Sequence, residues 1–294
     1  MEFHMSYFVL MTDSSTDLPK AFYEENDVEL IPIRYVLDGV EYKDDAGVSM
    51  EHERFYEKMR AGSMSSTSLI NREEYTQAFE KFLSEGKDVL YISISSGISG
   101  SYQSAVGAAE ELSEKYPDRK LYVCDGLCAS MGGAVLMHYA QKMRAAGKSI
   151  DEVRDWVEEN KLRVIHLFTV DDLMFLKRSG RISSSAAVLG SLMGVKPMLD
   201  VDANGKLRAC KKMRGRRGAL EGLVNWVEEF IESDEIEVLA ISHADCEQDA
   251  MTLLEKMKEK YKIKEVLINF IGPVIGSHSG PDTIAIFFMG RKRT

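Results

Sequence analysis

Serines are concentrated in one short stretch of this sequence, where their hydroxyls could hold an anion. They are Ser93, Ser95, Ser96, Ser99 and Ser101. Residues 89–94 are mostly β-branched, aromatic or otherwise apolar, which predicts a buried strand running into the turn. Apolar residues at helical spacing then predict a helix that begins near Ser99 or Gly100. Because a helix N-terminus leaves backbone N–H groups unpaired, the stretch predicts a site for a carboxylate or a phosphate.

Other interpretations of this stretch stay open. Ser99 could simply cap the helix. It could also be the nucleophile of a serine hydrolase, although no Gly-x-Ser-x-Gly elbow surrounds it and His278 is the one assignable base. Residues 95–101 could instead bind a phosphate-bearing ligand, although the turn lacks lysine and the chain lacks a Gly-x-x-x-x-Gly-Lys loop.

The charge balance limits the classes of partner. The chain carries 37 basic and 47 acidic residues, for a formal net charge of −10, which argues against nucleic-acid binding. No apolar run approaches the length of about 18 residues that a membrane-spanning helix requires, so we expect no stable membrane insertion. The start of the sequence has no basic segment followed by an apolar run, and we expect a cytoplasmic protein.

Cysteine and histidine spacing predicts neither a metal site nor a cofactor. The four cysteines, Cys124, Cys128, Cys210 and Cys246, match no zinc or thioredoxin pattern, and we expect reduced thiols. The six histidines are scattered, without a pair at the helical spacing that metal ligands use.

The element pattern predicts an α/β protein with two domains. Strands alternate with helices in the first half, which indicates a mostly parallel sheet flanked by helices over residues 5–165. The second half, residues 166–294, reads as an α+β domain, with a hairpin signal at Asn204-Gly205. Ligands of such sheets bind beyond the carboxyl ends of the strands. The serine-rich turn is at such an end.

Several local predictions bear on the site. We expect one strand over 29–36, a small-residue loop over 63–68, and a small-residue helix over 183–193. Asp17 is the predicted N-cap of a helix that opens at Leu18-Pro19, and Asn71 is the predicted N-cap of the helix over 71–83. His278 lies in a glycine-rich segment, residues 276–281, which predicts a loop.

An ordered set of short motifs resembles the DegV family of bacterial fatty-acid-binding proteins. The motifs span nearly the whole chain: TDSSTDLP (12–19), STS (66–68), SSGISGSYQSA (95–105), LKRSGRI (176–182), VKPML (195–199), KMRGRR (212–217) and GSHSGP (276–281). Each motif is weak alone, but their order and separation make the set specific. The resemblance implies a two-domain α/β protein that holds one long-chain fatty acid between its domains.

The resemblance also implies which residues hold the ligand. Family members bind the carboxylate through a threonine and a serine that correspond to Thr67 and Ser99, supported by an arginine and a histidine that correspond to Arg214 and His278. Four neighbours are expected to support them: Ser68, Ser95, Ser96 and Gly100. After Thr67, however, residues 68–70 depart from the family's Thr-Ser-Gln-Pro motif.

The implied role is that of a carrier rather than an enzyme. Relatives present the acyl group to a separate ATP-dependent kinase, which makes an acyl phosphate for phospholipid metabolism. A bound long-chain fatty acid is then the ligand, no other cofactor is expected, and no residue of this chain is catalytic.

Overall fold

The computed structural model describes residues 8–183 and 194–294. The strands in this part of the chain are β1 (Val9–Asp13), β2 (Val28–Ile31), β3 (Arg34–Leu37), β4 (Val40–Lys43), β5 (Ser65–Thr67), β6 (Val89–Ser93), β7 (Leu121–Asp125), β8 (Val164–Thr169), β9 (Val195–Val201), β10 (Leu207–Arg214), β11 (Glu235–His243), β12 (Lys262–Phe270) and β13 (Ile284–Met289). The α-helices are α1 (Lys20–Glu25), α2 (His52–Arg60), α3 (Arg72–Leu83), α4 (Ser101–Lys115), α5 (Met131–Ala145), α6 (Ile150–Asn160), α7 (Met174–Arg178), α8 (Gly215–Trp226), α9 (Glu247–Lys260) and α10 (Pro273–Ser279).

These strands form three sheets. The first is wholly parallel, with strand order β2-β1-β6-β7, and the serine-rich turn follows the carboxyl end of β6, one of its two inner strands. The second has the order β10-β9-β8-β13-β11-β12 and is antiparallel except where β11 pairs with β12. The third is small and antiparallel, with the order β4-β3-β5. The predicted fold class, a parallel sheet flanked by helices followed by a sheet-rich α+β part, is confirmed.

Helix α5 packs against both large sheets. It contacts β6 of the first sheet and β8, β11 and β13 of the second. Nine of its residues are buried, which agrees with a helix that is apolar on most sides. The apolar core around α5 contains side chains from both halves of the chain, among them Leu90 and Phe168. The change of sheet falls between β7 and β8, and the domain boundary at 165/166 stays a prediction.

One predicted strand is two strands. Residues 29–36 were expected to be continuous, yet β2 ends at Ile31 and β3 begins at Arg34 in a different sheet. Pro32 lies at the break, where a residue without a backbone N–H cannot continue the ladder. The predicted loop over 63–68 is also wrong in part, because β5 lies within it and pairs Thr67 with Tyr35.

The two predicted helix caps have different outcomes. Asn71 caps α3 through a capping box with Glu74, as expected. Asp17 does not cap α1, whose N-cap is Pro19 without a side-chain bond. Asp17 is buried instead, where it accepts hydrogen bonds from the Ser130 hydroxyl and from the Gly272 N–H at 2.8 Å. The helix predicted over 183–193 lies, except for Ser183, outside the described residues.

Candidate functional site: an apolar cavity with a polar mouth

A cavity of about 230 Å³ lies between the carboxyl ends of the first sheet and one face of the second. Its apolar lining consists of Ile33, Leu69, Ile94, Ile98, Ala129, Phe168, Leu176, Val201, Leu207, Ile271, Val274, Ile275, Ala285 and Phe287. Its remaining lining consists of Thr67, Ser68, Ser99, Gly100, Ser101, Ser130, His166, Arg181, His278, Ser279 and Thr283. A mostly apolar lining with a few polar groups suits a ligand that has both characters.

Thr67 and His278 meet at the mouth of this cavity. The Thr67 hydroxyl lies 2.8 Å from Nε2 of His278, and both side chains are half-buried. Strand β5 holds Thr67 through its pairing with β3. His278 was expected in a loop, but it lies in α10, because Pro273 opens that helix and Gly280, at φ +81°, ends it.

The His278 ring is neutral in the folded protein. Burial, helped by the positive charge of Arg181, lowers the pKa of His278 to about 4. Its Nδ1 has no hydrogen-bond partner among the described residues, so no acid orients the ring there. A hydrolytic triad needs both an oriented base and a hydrogen bond that the hydroxyl of the nucleophile donates to that base. The bond of His278 goes to Thr67 rather than to Ser99, so the geometry gives no support to a hydrolase.

Ser99 lines the same mouth, two residues before α4 begins. Its hydroxyl donates to the Ser101 hydroxyl at 3.1 Å and accepts the Ser101 N–H at 3.2 Å. The N-cap position itself is held by Gly100, which makes no side-chain cap bond. Ser99 therefore supports the first residue of the helix while remaining half-buried at the cavity, so the capping and ligand-binding interpretations are compatible.

The backbone N–H groups of residues 96–99 in the serine-rich turn are already bonded. The Ser96 N–H donates to the Asp125 carboxylate at 3.1 Å, and the Gly97 N–H donates to the Ser95 hydroxyl at 3.0 Å. The Ile98 and Ser99 N–H groups both donate to the Ser95 carbonyl. A phosphate site at a turn requires N–H groups that are free to point at the ligand. Residues 96–99 therefore offer no free N–H group, and a phosphate at this turn would depend on the N–H groups at the start of α4.

The supporting residues predicted from sequence are placed differently from one another. Ser68 and Gly100 line the cavity beside Thr67 and Ser99. Ser95 is buried, and its hydroxyl donates to the Gly205 carbonyl at 2.8 Å. Ser96 is exposed and does not line the cavity.

The structure places Arg214 and Arg181 differently with respect to the cavity. Arg214, at the end of edge strand β10, is exposed and is not among the described residues that line the cavity. Arg181 lines it instead. Helix α7 is followed by Gly180 at φ +71°, and Arg181 then donates from Nε to the Ile98 carbonyl at 3.2 Å. The segment LKRSGRI that contains Arg181 was among the family motifs, and this was the available signal.

No group of three or more histidine, cysteine, aspartate or glutamate side chains in residues 8–183 and 194–294 could hold a metal ion. Within the same ranges, no helix is both long enough and apolar enough to cross a membrane.

Known proteins share both this sequence and this fold. The DegV family model, described as "Uncharacterised protein, DegV family", matches residues 7–291. A DegV domain-containing protein of Clostridium perfringens is 44% identical over 286 residues, which cover 97% of this chain and 98% of that protein. The chain therefore belongs to the DegV family.

Solved structures of relatives agree over the whole fold. A DegV family protein from Thermus thermophilus that binds fatty acid superposes with a TM-score of 0.87 at 29% identity, covering 97% of this chain and 99% of that one. DegV from Bacillus subtilis, a fatty-acid-binding protein, gives a TM-score of 0.84 at 28% identity, covering 97% and 100%.

Proposed function

We propose that this chain binds one long-chain fatty acid in the main cavity and presents its carboxylate to a separate ATP-dependent kinase. The observation that carries the proposal is the presence of Thr67, Ser99, Arg181 and His278 together in the lining of a mostly apolar cavity. Fatty-acid binding by the Thermus and Bacillus relatives supports it.

The mouth has the chemistry that a carboxylate needs. A buried carboxylate is costly unless it is hydrogen-bonded or paired with a cation. The Thr67 hydroxyl can donate to the carboxylate when Nε2 of His278 carries the ring proton, and the Ser99 hydroxyl can do so by turning from the Ser101 hydroxyl. Arg181 supplies the positive charge. Arg181 has no carboxylate partner within ion-pair distance among the described residues, so its charge is available to a ligand. Arg214 is exposed and is not part of this proposed set.

The apolar lining would hold the tail. Each buried CH₂ contributes about 0.8 kcal/mol, so the 14 CH₂ groups of a sixteen-carbon acid correspond to roughly 11 kcal/mol of gross burial. The net affinity is smaller, because ordering the chain and associating with the protein cost much of that free energy. The tail thus gives the affinity, and the mouth fixes the position of the carboxylate.

The exposure of the mouth suits transfer to a partner. Thr67, Ser99 and His278 are only half-buried, and Ser68 and Gly100 beside them are exposed. A kinase could therefore reach the carboxylate oxygens without displacing the tail. We propose no catalytic residue on this chain, which would act as a carrier.

The test is denaturing extraction of the purified protein followed by mass analysis. We expect a stoichiometric long-chain fatty acid in wild type. In Thr67→Ala and Ser99→Ala, losing a hydrogen bond to a charged group costs about 1.5–3 kcal/mol, so retained fatty acid should fall. Acyl phosphate formation with a cognate kinase should fall more steeply, because reaction requires the oxygens in place.

Two exposed hydroxyls provide matched controls. Thr76→Ala on α3 and Ser113→Ala on α4 each remove a hydroxyl that bonds only to its own helix. They should leave both retention and acyl phosphate unchanged. The proposal fails if repeated wild-type preparations yield no acyl chain. Unchanged retention and phosphorylation in the folded Thr67→Ala/Ser99→Ala double variant would place the carboxylate elsewhere.

A further inference from the structure

The inner end of the main cavity is formed by one layer of side chains. The second sheet pairs Ala285 with Phe168 and Phe287 with His166. All four residues line the cavity. Because residues two apart on a strand face the same side of the sheet, the cavity extends along β8 and β13 on one face of the second sheet. The next pair along these strands does not line it. His166 and Phe287 are thus the last residues of the lining on this face.

A second chamber, also of about 230 Å³, lies on the other side of this layer and is open to solvent along its exposed charged residues. It shares two residues with the main cavity, His166 and Val201, both of which are 2% exposed. Its other walls carry charged groups: Asp200, Arg208, Glu229, Arg291, Lys292 and Arg293. Two buried side chains therefore separate an apolar space from a charged one.

The His166 ring is neutral and fixed in position. The Ala129 N–H lies 3.3 Å from Nε2 and can only donate, so Nε2 is the unprotonated nitrogen. Nδ1 then carries the proton and donates to the Val164 carbonyl at 3.1 Å. The ring also packs directly on the backbone of α5, because a Cβ at Gly132 would lie 2.1 Å from Nε2. The Phe287 ring meets it edge-on, at 5.3 Å between centroids.

We infer that His166 and Val201 are the end stop of the acyl cavity and set the longest acyl chain that the protein accepts. The inference rests on the proposed function, since it takes the Thr67 end as the head-group end. A tail that is too long would have to break both hydrogen bonds of the His166 ring or enter the charged chamber. Both routes are unfavourable, because they leave polar groups unpaired or place methylenes beside charges.

The test is the dependence of affinity on chain length. Delipidated protein is titrated with a series of saturated fatty acids of increasing length. Affinity should rise about fourfold for each carbon that the cavity can bury, and should stop rising at the length limit. Val201→Ala removes two carbons from the stop and should move this break to chains longer by about two carbons. Val201→Phe should move the break to shorter chains.

A matched control separates the stop from general loss of stability. Val153 on α6 is fully buried in the core but does not line the cavity, so Val153→Ala removes the same atoms elsewhere. The chain length at which affinity stops rising should be the same for Val153→Ala as for wild type. His166→Ala should move the break to longer chains, because the space of the imidazole ring becomes available to the tail before the charged chamber is reached. The two Val201 variants keep the inference testable if His166→Ala does not fold.

The possible failures are distinct. A break at the same chain length in wild type and in both Val201 variants would overturn the inference while leaving fatty-acid binding intact. A wild-type protein that binds no member of the series would overturn the proposed function instead.

Discussion

The Ser95 hydroxyl donates a hydrogen bond to the Gly205 carbonyl, which joins the serine-rich turn of the first sheet to the β9–β10 hairpin of the second. The two backbones approach closely at this point. A Cβ at Gly97 would lie 2.4 Å from the Asn204 carbonyl oxygen, and a Cβ at Gly205 would lie 1.9 Å from the Ser95 hydroxyl. Ser95 therefore connects the two halves rather than facing the proposed ligand.

We predict that Ser95→Ala lowers the free energy of unfolding by about 1–3 kcal/mol, because the buried partners of its hydroxyl lose their hydrogen bond. The exposed neighbour Ser96 provides the control, since Ser96→Ala removes a hydroxyl that makes no such bond. Urea denaturation of both variants measures the difference. Equal stability of the two would show that the contact with Gly205 contributes nothing.

Arg181 and Arg214 offer a direct comparison of the two candidate cations. Arg181→Gln removes the charge that lines the cavity, and we expect retained fatty acid to fall severalfold, since a hydrogen bond to a charged group is worth about 1.5–3 kcal/mol. Arg214→Gln removes an exposed charge and should leave retention unchanged. Mass analysis of extracted acyl chain from both variants decides the matter. A larger loss of fatty acid in Arg214→Gln than in Arg181→Gln would assign the carboxylate site to Arg214.

Ligand-free protein should lose stability in mild acid through His278. Its folded pKa is about 4, below an unfolded value of about 6.5, so the unfolded state binds more protons between these values. Stability is therefore fully present above about pH 6.5 and declines as the pH falls to 4, by up to about 3 kcal/mol from this one group.

The variant His278→Gln cannot take up this proton. Its stability should depend less steeply on pH than that of wild type over the same window, as measured by urea denaturation at several pH values. Parallel pH profiles for the two proteins would contradict the assignment.

Asp44 should make the stability of the protein change with pH in the opposite direction. Complete burial raises the pKa of its carboxyl to about 7, with smaller contributions from the charges of Asp45 and Asp13. The folded state then binds the extra proton, so the contribution of Asp44 is fully present below its unfolded pKa of about 3.9 and is lost as the pH rises through 7. Asp44→Asn should be less sensitive to pH across this range. A stability profile that still falls equally steeply in the variant would rule out Asp44 as the cause.

The position of Ser99 could be predicted from the sequence alone, because its hydroxyl and its place after a strand both indicate a ligand site. Ser99 follows a strand of the parallel sheet, and ligands gather at that edge. Thr67 and His278 were reached through the family motifs, because they are 211 positions apart and no local pattern joins them. The helix that carries His278 is short and rich in glycine and serine, so its local sequence favours a loop.

Tertiary contacts override that local preference. The N–H groups of Gly272 and Val274, at the start of α10, donate to side-chain oxygens of the buried Asp17 and Asp44. These partners come from distant parts of the chain, so no local pattern could reveal them. The arginines show the same limit. Both occur in polar segments, and only the path of the edge strand β10 places Arg214 in solvent.

The position of β13 has a consequence for synthesis. It is the last strand of the described chain, yet it lies in the middle of the second sheet, between β8 and β11. Thr67 and Ser99 leave the ribosome long before the segment that supplies Ala285 and Phe287 has been translated. Until that segment inserts, the cavity lacks part of a wall, and Phe168 lacks its partner across the sheet. We therefore expect the proposed fatty acid to bind only after the segment that forms β13 has been synthesised.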